Sequence, residues 1–216
     1  MSMPSPAMPR SRVVPSYEYR RTRWKNGAGW TREIHAEPAG GEDWDWRLSI
    51  AEVGADGPFS TFAGVDRELV LLSGEGMRLR FDDGATVDVL PPHGRHRFAG
   101  EVPVHGELVA GPTHDFNLMW RRDRFDADLW RRPVVGAMVV FAEPGSTWVV
   151  HLLAGHVRFA DASGLPGLAM GDTAILQAGD TRLRHVLDGG GEALVIRLVP
   201  RAVASHPMLE LAPREP

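Results

Sequence analysis

Leu71-Leu72-Ser73-Gly74-Glu75-Gly76-Met77-Arg78-Leu79-Arg80-Phe81 decides the reading of the fold. Two apolar residues run into a glycine turn. Met77, Leu79 and Phe81 then alternate with Arg78 and Arg80, the period-two pattern of a half-buried strand. The motif returns as Leu152-Leu153-Ala154-Gly155 with Arg158-Phe159 after a shorter turn. Beyond each copy lie a glycine-containing turn, another strand (residues 85–90; residues 173–177), a proline or glycine break and a closing strand (residues 106–110; residues 193–199). Such self-similarity predicts two copies of one all-β unit. Asp82-Asp83-Gly84 adds a hairpin signal inside the first copy.

Upstream, residues 31–36 read as a strand with Thr31, Glu33 and His35 on one face and Arg32, Ile34 and Ala36 on the other. Residues 44–53 read as the next, with Trp46, Leu48, Ile50 and Glu52 opposed to Arg47, Ser49, Ala51 and Val53. Helical periodicity is confined to residues 121–132, where Phe125, Leu129 and Trp130 suggest a short linker helix. Many short strands divided by glycine and proline turns point to an all-β fold: a tandem cupin (bicupin) of two jelly-roll barrels or sandwiches with little helix. The expected organisation is a disordered proline-rich leader over residues 1–14, an N-terminal half over 15–125, a C-terminal half over 126–203 and a tail over 204–216. Residues 15–43 exceed what one copy needs and are expected to pair with the other half.

Composition narrows the function. A net charge of -4 lacks the basic footprint of a nucleic-acid binder. Zero cysteines exclude disulfides, thiolate metal sites and cysteine nucleophiles. No run approaches the ~20 apolar residues of a membrane-spanning helix, and the leader lacks a secretory apolar core, so a cytoplasmic protein is expected.

Metal chemistry has weak support. None of the nine histidines forms a His-x-His pair. His93 and His96 come nearest, but an i, i+3 pair on a strand points to opposite faces. No Gly-x-Ser-x-Gly elbow is present, and Gly27-Ala28-Gly29 leads into a strand rather than a phosphate-binding helix. No cofactor is expected. Asp66-Arg67 reads as a structural ion pair. What remains is a polar pocket at a barrel mouth. It is built around Trp24-Lys25-Asn26-Gly27, which contains the only lysine of the chain. Its candidate residues are Lys25, Asn26, Thr31, Arg32, Glu33, Arg47, Ser49, Glu52, Asp115 and Asn117. The cations suit a carboxylate, while Asn26, Ser49 and Asn117 orient amide or imidazole groups.

Five motifs in order give the chain a family resemblance: Trp24-Lys25-Asn26-Gly27, Thr31-Arg32-Glu33-Ile34, residues 46–53 (WRLSIAEV), Asp56-Gly57-Pro58-Phe59-Ser60 and Asp115-Phe116-Asn117-Leu118-Met119. Over roughly residues 15–200 the chain resembles the HutD/Ves family of bacterial bicupins. The resemblance implies an association with histidine utilisation, as a regulator or metabolite sensor binding urocanate or a formylglutamate-like acid. By motif it points to Lys25, Asn26, Thr31, Arg32, Glu33, Ser49, Glu52, Asp115 and Asn117. Ala28 in place of a third glycine, Trp120 after Met119, and the leader depart from the pattern. The alternatives are a metal-independent isomerase or hydrolase using Glu33 or Glu52 as acid/base, and a metal-dependent cupin through His93 and His96. Neither nucleic acid nor membrane is an expected partner; a homodimer through sheet edges is compatible with the class.

Overall fold

The computed structural model describes residues 11–25, 27–41 and 43–201. Asn26, most of the expected leader and the expected tail lie outside them. The first half contains β1 (Arg12–Val14), β2 (Arg20–Arg23), β3 (Gly29–Glu37), β4 (Trp46–Val53), β5 (Gly57–Pro58), β6 (Val65–Ser73), β7 (Met77–Phe81), β8 (Thr86–Val89), β9 (Arg95–Ala99), β10 (Val104–Leu108) and β11 (Thr113–Arg121). The second contains β12 (Phe125–Ala142), β13 (Thr147–Phe159), β14 (Leu168–Ala169), β15 (Thr173–Gln177) and β16 (Leu183–Pro200). Among the described residues there is no α-helix, and none long and apolar enough to cross a membrane. The linker helix expected over residues 121–132 is instead the end of β11, a turn at residues 122–124 and the start of β12. Phe125, Leu129 and Trp130 fit a helical spacing, but Ala127 and Leu129 also satisfy a period of two, and both are buried against the neighbouring sheet.

Three sheets stack in layers. The central one has the order β2-β3-β4-β11-β6-β9, a second the order β5-β10-β7-β8, and the third β1-β15-β13-β16-β12, with β14 on β13. Strand alternation explains the layering. Trp46, Leu48 and Ile50 of β4, with Phe116, Leu118 and Trp120 of β11, face the third sheet and meet Val149, Ile175, Leu194 and Ile196. The opposite face sends Ala51, Val53, Leu69 and Leu71 against Met77, Leu79, Val89 and Val104 of the second sheet. Each large side chain removed from water in this way contributes ~1.5–3 kcal/mol. The central sheet is thus apolar on both faces, and polar residues on it are conspicuous.

The second half closes by bending long strands. The final strand is not confined to residues 193–199; it runs continuously through Gly189-Gly190-Gly191. At Gly191, with φ of 147°, a Cβ would lie 1.9 Å from the Ala154 carbonyl oxygen, so the crossing backbones need glycine there. The strand ends fold back to enclose a core of Val134, Val140, Val150, Val157, Leu187 and Val195.

The two halves are tied by the N-terminal segment. Residues 12–14, expected in the disordered leader, form β1 and pair with β15 at Arg12↔Ile175 and Val14↔Thr173. Tyr19 is buried and its hydroxyl donates to the Gly171 carbonyl at 2.6 Å and meets Thr173 Oγ1 at 2.7 Å. Thr173 Oγ1 in turn bonds His151 Nδ1 at 2.9 Å, and burial pushes the His151 imidazole down to about 4. By contrast, β2 pairs with β3 and β3 with β4 inside the first half, so of residues 15–43 it is the stretch around Tyr19 that reaches across. Tyr19→Phe removes one buried hydroxyl and leaves its partners without it. It is expected to lower stability by about 1–2 kcal/mol, read as a shifted urea midpoint at unchanged m-value.

Candidate functional site

The polar positions of the central sheet converge on a cavity of about 700 Å³ in the first half. Lys25, Thr31, Arg47, Ser49 and Asn117 all line it, so half of the expected site residues meet there. The ladder explains why. Arg47 and Ser49 lie opposite Met119 and Asn117, and directly opposite residues of an antiparallel pair share a face. Trp24 donates its indole N–H to Thr31 Oγ1 at 2.8 Å, which anchors the glycine turn on β3. Lys25 is exposed at the rim, without an ion-pair partner among the described residues.

The dominant group of the cavity is Arg67, read from sequence as the partner of Asp66. Alternation separates the two. Asp66 faces the other way and pairs with Arg97 at 3.0 Å and Arg122 at 2.9 Å. Arg67 is 6% exposed and sits among Phe59, Phe62 and Phe98, each ring centroid 5.2–5.7 Å from its guanidinium carbon. Its Nη1 donates to the Ser60 carbonyl at 3.1 Å and its Nη2 to Asn117 Oδ1 at 3.1 Å; Nε has no partner. No carboxylate lies within ion-pairing distance among the described residues. Burial, then the neighbouring Arg47, pushes its pKa down to about 10. Its sequence signal was its place on the Leu69 and Leu71 face of β6, a charge at an inward position.

The remaining expected residues sit elsewhere. Glu33, opposite Ser49 and so on the same face, lies beside the cavity lining and receives Arg47 Nε at 2.8 Å and Arg20 at 3.0 Å, which holds Arg47 in place. Arg32 and Glu52 pair with each other at 2.9 Å on the opposite face of the sheet, where Arg21 also reaches Glu52 at 2.6 Å. Their alternation phase excludes them from the cavity, and Glu33 and Glu52 therefore do not act on one bound molecule. A bulge between Glu33 and His35 turns His35 away from Thr31 toward Trp46, at 4.9 Å between rings.

Asp115 shares the face of Asn117 but lies in the core beyond the cavity, opposite Ala51 and Leu71. It is fully buried; Oδ2 accepts the Thr113 hydroxyl at 2.7 Å and Oδ1 has no partner. Burial pushes its pKa up to about 7. His93 and His96 do not converge. His93 bonds the Leu71 carbonyl at 2.9 Å, whereas His96 stacks on Phe98. Among the described residues no group of three or more His, Asp or Glu is placed to hold a metal ion.

Two stacked sandwich halves, with a half-open cavity in the first that carries a few converging polar side chains, define a cupin-like protein of the bicupin type. The chain belongs to the HutD family, whose model matches residues 16–195. It is 41% identical over 123 residues to a Pseudomonas putida protein described as an uncharacterized 21.2 kDa protein in the hutC 3' region, covering 56% of this chain and 64% of that protein. Protein Ves of Citrobacter koseri is 37% identical over 139 residues, 64% of this chain and 70% of that protein. Among solved structures, HutD from Pseudomonas fluorescens SBW25 superposes with a TM-score of 0.77 at 32% identity, covering 89% of this chain and 100% of that one. The nickel(II) complex of the Escherichia coli pirin YhhW, at 9% identity and a TM-score of 0.64 over 89% of this chain and 100% of that one, shares the fold alone.

Proposed function

We propose that the chain is a binding protein for a small carboxylate, captured in the first-half cavity by Arg67 with Arg47, Asn117, Ser49 and Lys25. The observation that carries this reading is a buried guanidinium without a carboxylate partner. Withdrawing a charge from water costs several kcal/mol unless it is paired, and an anion entering the cavity supplies the missing pair. The planar fork of arginine matches a carboxylate, and the aromatic rings around it lower the local dielectric, which strengthens the attraction. The cavity is of the size that small-molecule sites have.

Membership of the HutD family, and the hut-region relative in Pseudomonas putida, favour an acid of histidine breakdown: urocanate, N-formylglutamate or formiminoglutamate. A sensor or regulator role follows if occupancy reports the level of that acid. Calorimetry with each of the three is the test. One-site binding that weakens with added salt supports the reading, and no saturable heat from any of them removes it. Lys25→Met deletes an exposed rim charge and is expected to weaken binding roughly three- to tenfold, with thermal stability unchanged. A stability loss without an affinity change would make Lys25 a turn-locking residue instead.

A further inference from the structure

The second half has a cavity of its own, about 530 Å³, at the end of its core, with a lining unlike that of the first. The repeat makes the two comparable. Matching Leu71 to Leu152 matches Arg67 to Trp148. Leu69 faces Asn117 and Val150 faces Val195; Ser49 faces Asn117 and Trp130 faces Val195. So where the first half places Arg67, Asn117 and Ser49, the second places Trp148, Val195 and Trp130. Hydrogen-bonding groups have been exchanged for indole surface at the same ladder positions.

The two indoles lie 6.2 Å apart between centroids with 27° between planes, and both line the cavity as its indole wall. Cations surround it. Arg197 stands over Trp148 at 5.8 Å, and Arg132 lines the same cavity. Neither has a carboxylate within ion-pairing distance among the described residues. Arg182 is different: it lies over Phe141 at 4.1 Å and is neutralised by Glu143 at 2.8 Å. The cavity thus combines an aromatic platform with two uncompensated guanidiniums.

We propose that this cavity is a second binding site, for a planar aromatic carboxylate whose ring lies on the Trp130–Trp148 wall and whose carboxylate meets Arg197 and Arg132. An aromatic body gains from stacking on indole, and the guanidiniums take the charge at its edge. A small aliphatic acid fits this wall poorly, because it has no π-face to offer. The site is separate from the first-half cavity, and its existence does not depend on what that cavity binds.

The probe is 2-naphthoate, with 2-naphthylmethanol as its neutral counterpart, followed by calorimetry and by quenching of tryptophan fluorescence. The expected result is saturable binding of 2-naphthoate that stays within threefold in Arg67→Met, which disables the first cavity only. Arg197→Gln is expected to weaken it tenfold or more, and the alcohol to bind at least tenfold more weakly than the acid. Arg197 is partly exposed, so this variant folds; Trp148→Leu, which also loosens packing, serves as the second variant, with near-ultraviolet circular dichroism checking its fold. Absence of saturable binding overturns the proposal. So does loss of binding in Arg67→Met with retention in Arg197→Gln, or equal binding of the alcohol. A dimer in sedimentation velocity that dissociates on Phe141→Asp, without naphthoate binding, assigns the face to a second copy of the chain and overturns it as well.

Discussion

Arg67→Met is expected to weaken binding of the first-cavity carboxylate by about a hundredfold or more, ~3 kcal/mol, while the ligand-free protein keeps most of its stability. The two halves of this expectation come from the same geometry. In the free protein the guanidinium donates to the Ser60 carbonyl and Asn117 Oδ1 but has no counter-charge. Methionine gives up those two bonds, a cost of ~1–3 kcal/mol, and is relieved of the penalty for a buried, unpaired charge. Its flexible thioether also packs well against Phe59, Phe62 and Phe98. With ligand present the balance reverses, because the charge pair in a low-dielectric site is gone. Arg67→Lys keeps the charge but not the fork, and a loss of about tenfold is expected. Calorimetry for affinity and urea unfolding for stability separate the effects. A variant that unfolds yet still binds under stabilising conditions would show Arg67 to be structural.

Asp115→Asn is expected to change the pH dependence of stability by up to about 4 kcal/mol. Burial holds the Asp115 carboxyl near 7 in the folded protein, against about 3.9 in the unfolded chain. Between pH 4 and 7 the native state binds the proton and the unfolded state does not. Stability from this group is therefore full below pH 4 and falls as pH rises through 7. His151 acts in the opposite sense. Its imidazole is held near 4, so the unfolded chain binds more protons between pH 4 and 6.5, and stability rises across that range. The two slopes offset each other in the wild type. The substitution leaves an amide of the same shape beside Thr113 and removes one of the slopes. The difference between variant and wild type is expected to be nearly constant below pH 4, to grow in favour of the variant through pH 7 and to level off above it. Urea midpoints at pH 4, 6 and 8 measure it. Parallel profiles for the two proteins would show Asp115 to be charged throughout.

The candidate site was legible where it depended on strand phase. Residues 46–53 declare both faces of β4, so Arg47 and Ser49 were correctly set apart from the apolar Trp46, Leu48 and Ile50. The same alternation, applied strictly, places Glu52 with that apolar face and away from the cavity. Grouping it with Ser49 followed charge and motif rather than phase. His35 was set on the face of Thr31 and Glu33, but a bulge inserts a residue and reverses the phase beyond it without a mark in composition. Arg67 was masked by its neighbour in sequence. Adjacent residues on a strand point to opposite faces, so Asp66 is close along the chain and is not within reach of Arg67's side chain.

The sequence by itself determined the all-β class, the doubled design and the two faces of the central strands, because hydrophobic alternation and turn chemistry are local properties. Only the tertiary structure decided that residues 12–14 become a strand on the far half, and that residues 125–132 begin β12. It alone brought Arg67, Arg47, Asn117 and Lys25 around one cavity. Whether a charge is paired depends on which strands lie beside it in the sheet. Here β6 meets β11 across a long stretch of intervening chain, and the ring cage of Phe59, Phe62 and Phe98 comes from two further segments. That assembly leaves Arg67 buried among rings and amides with no anion of its own.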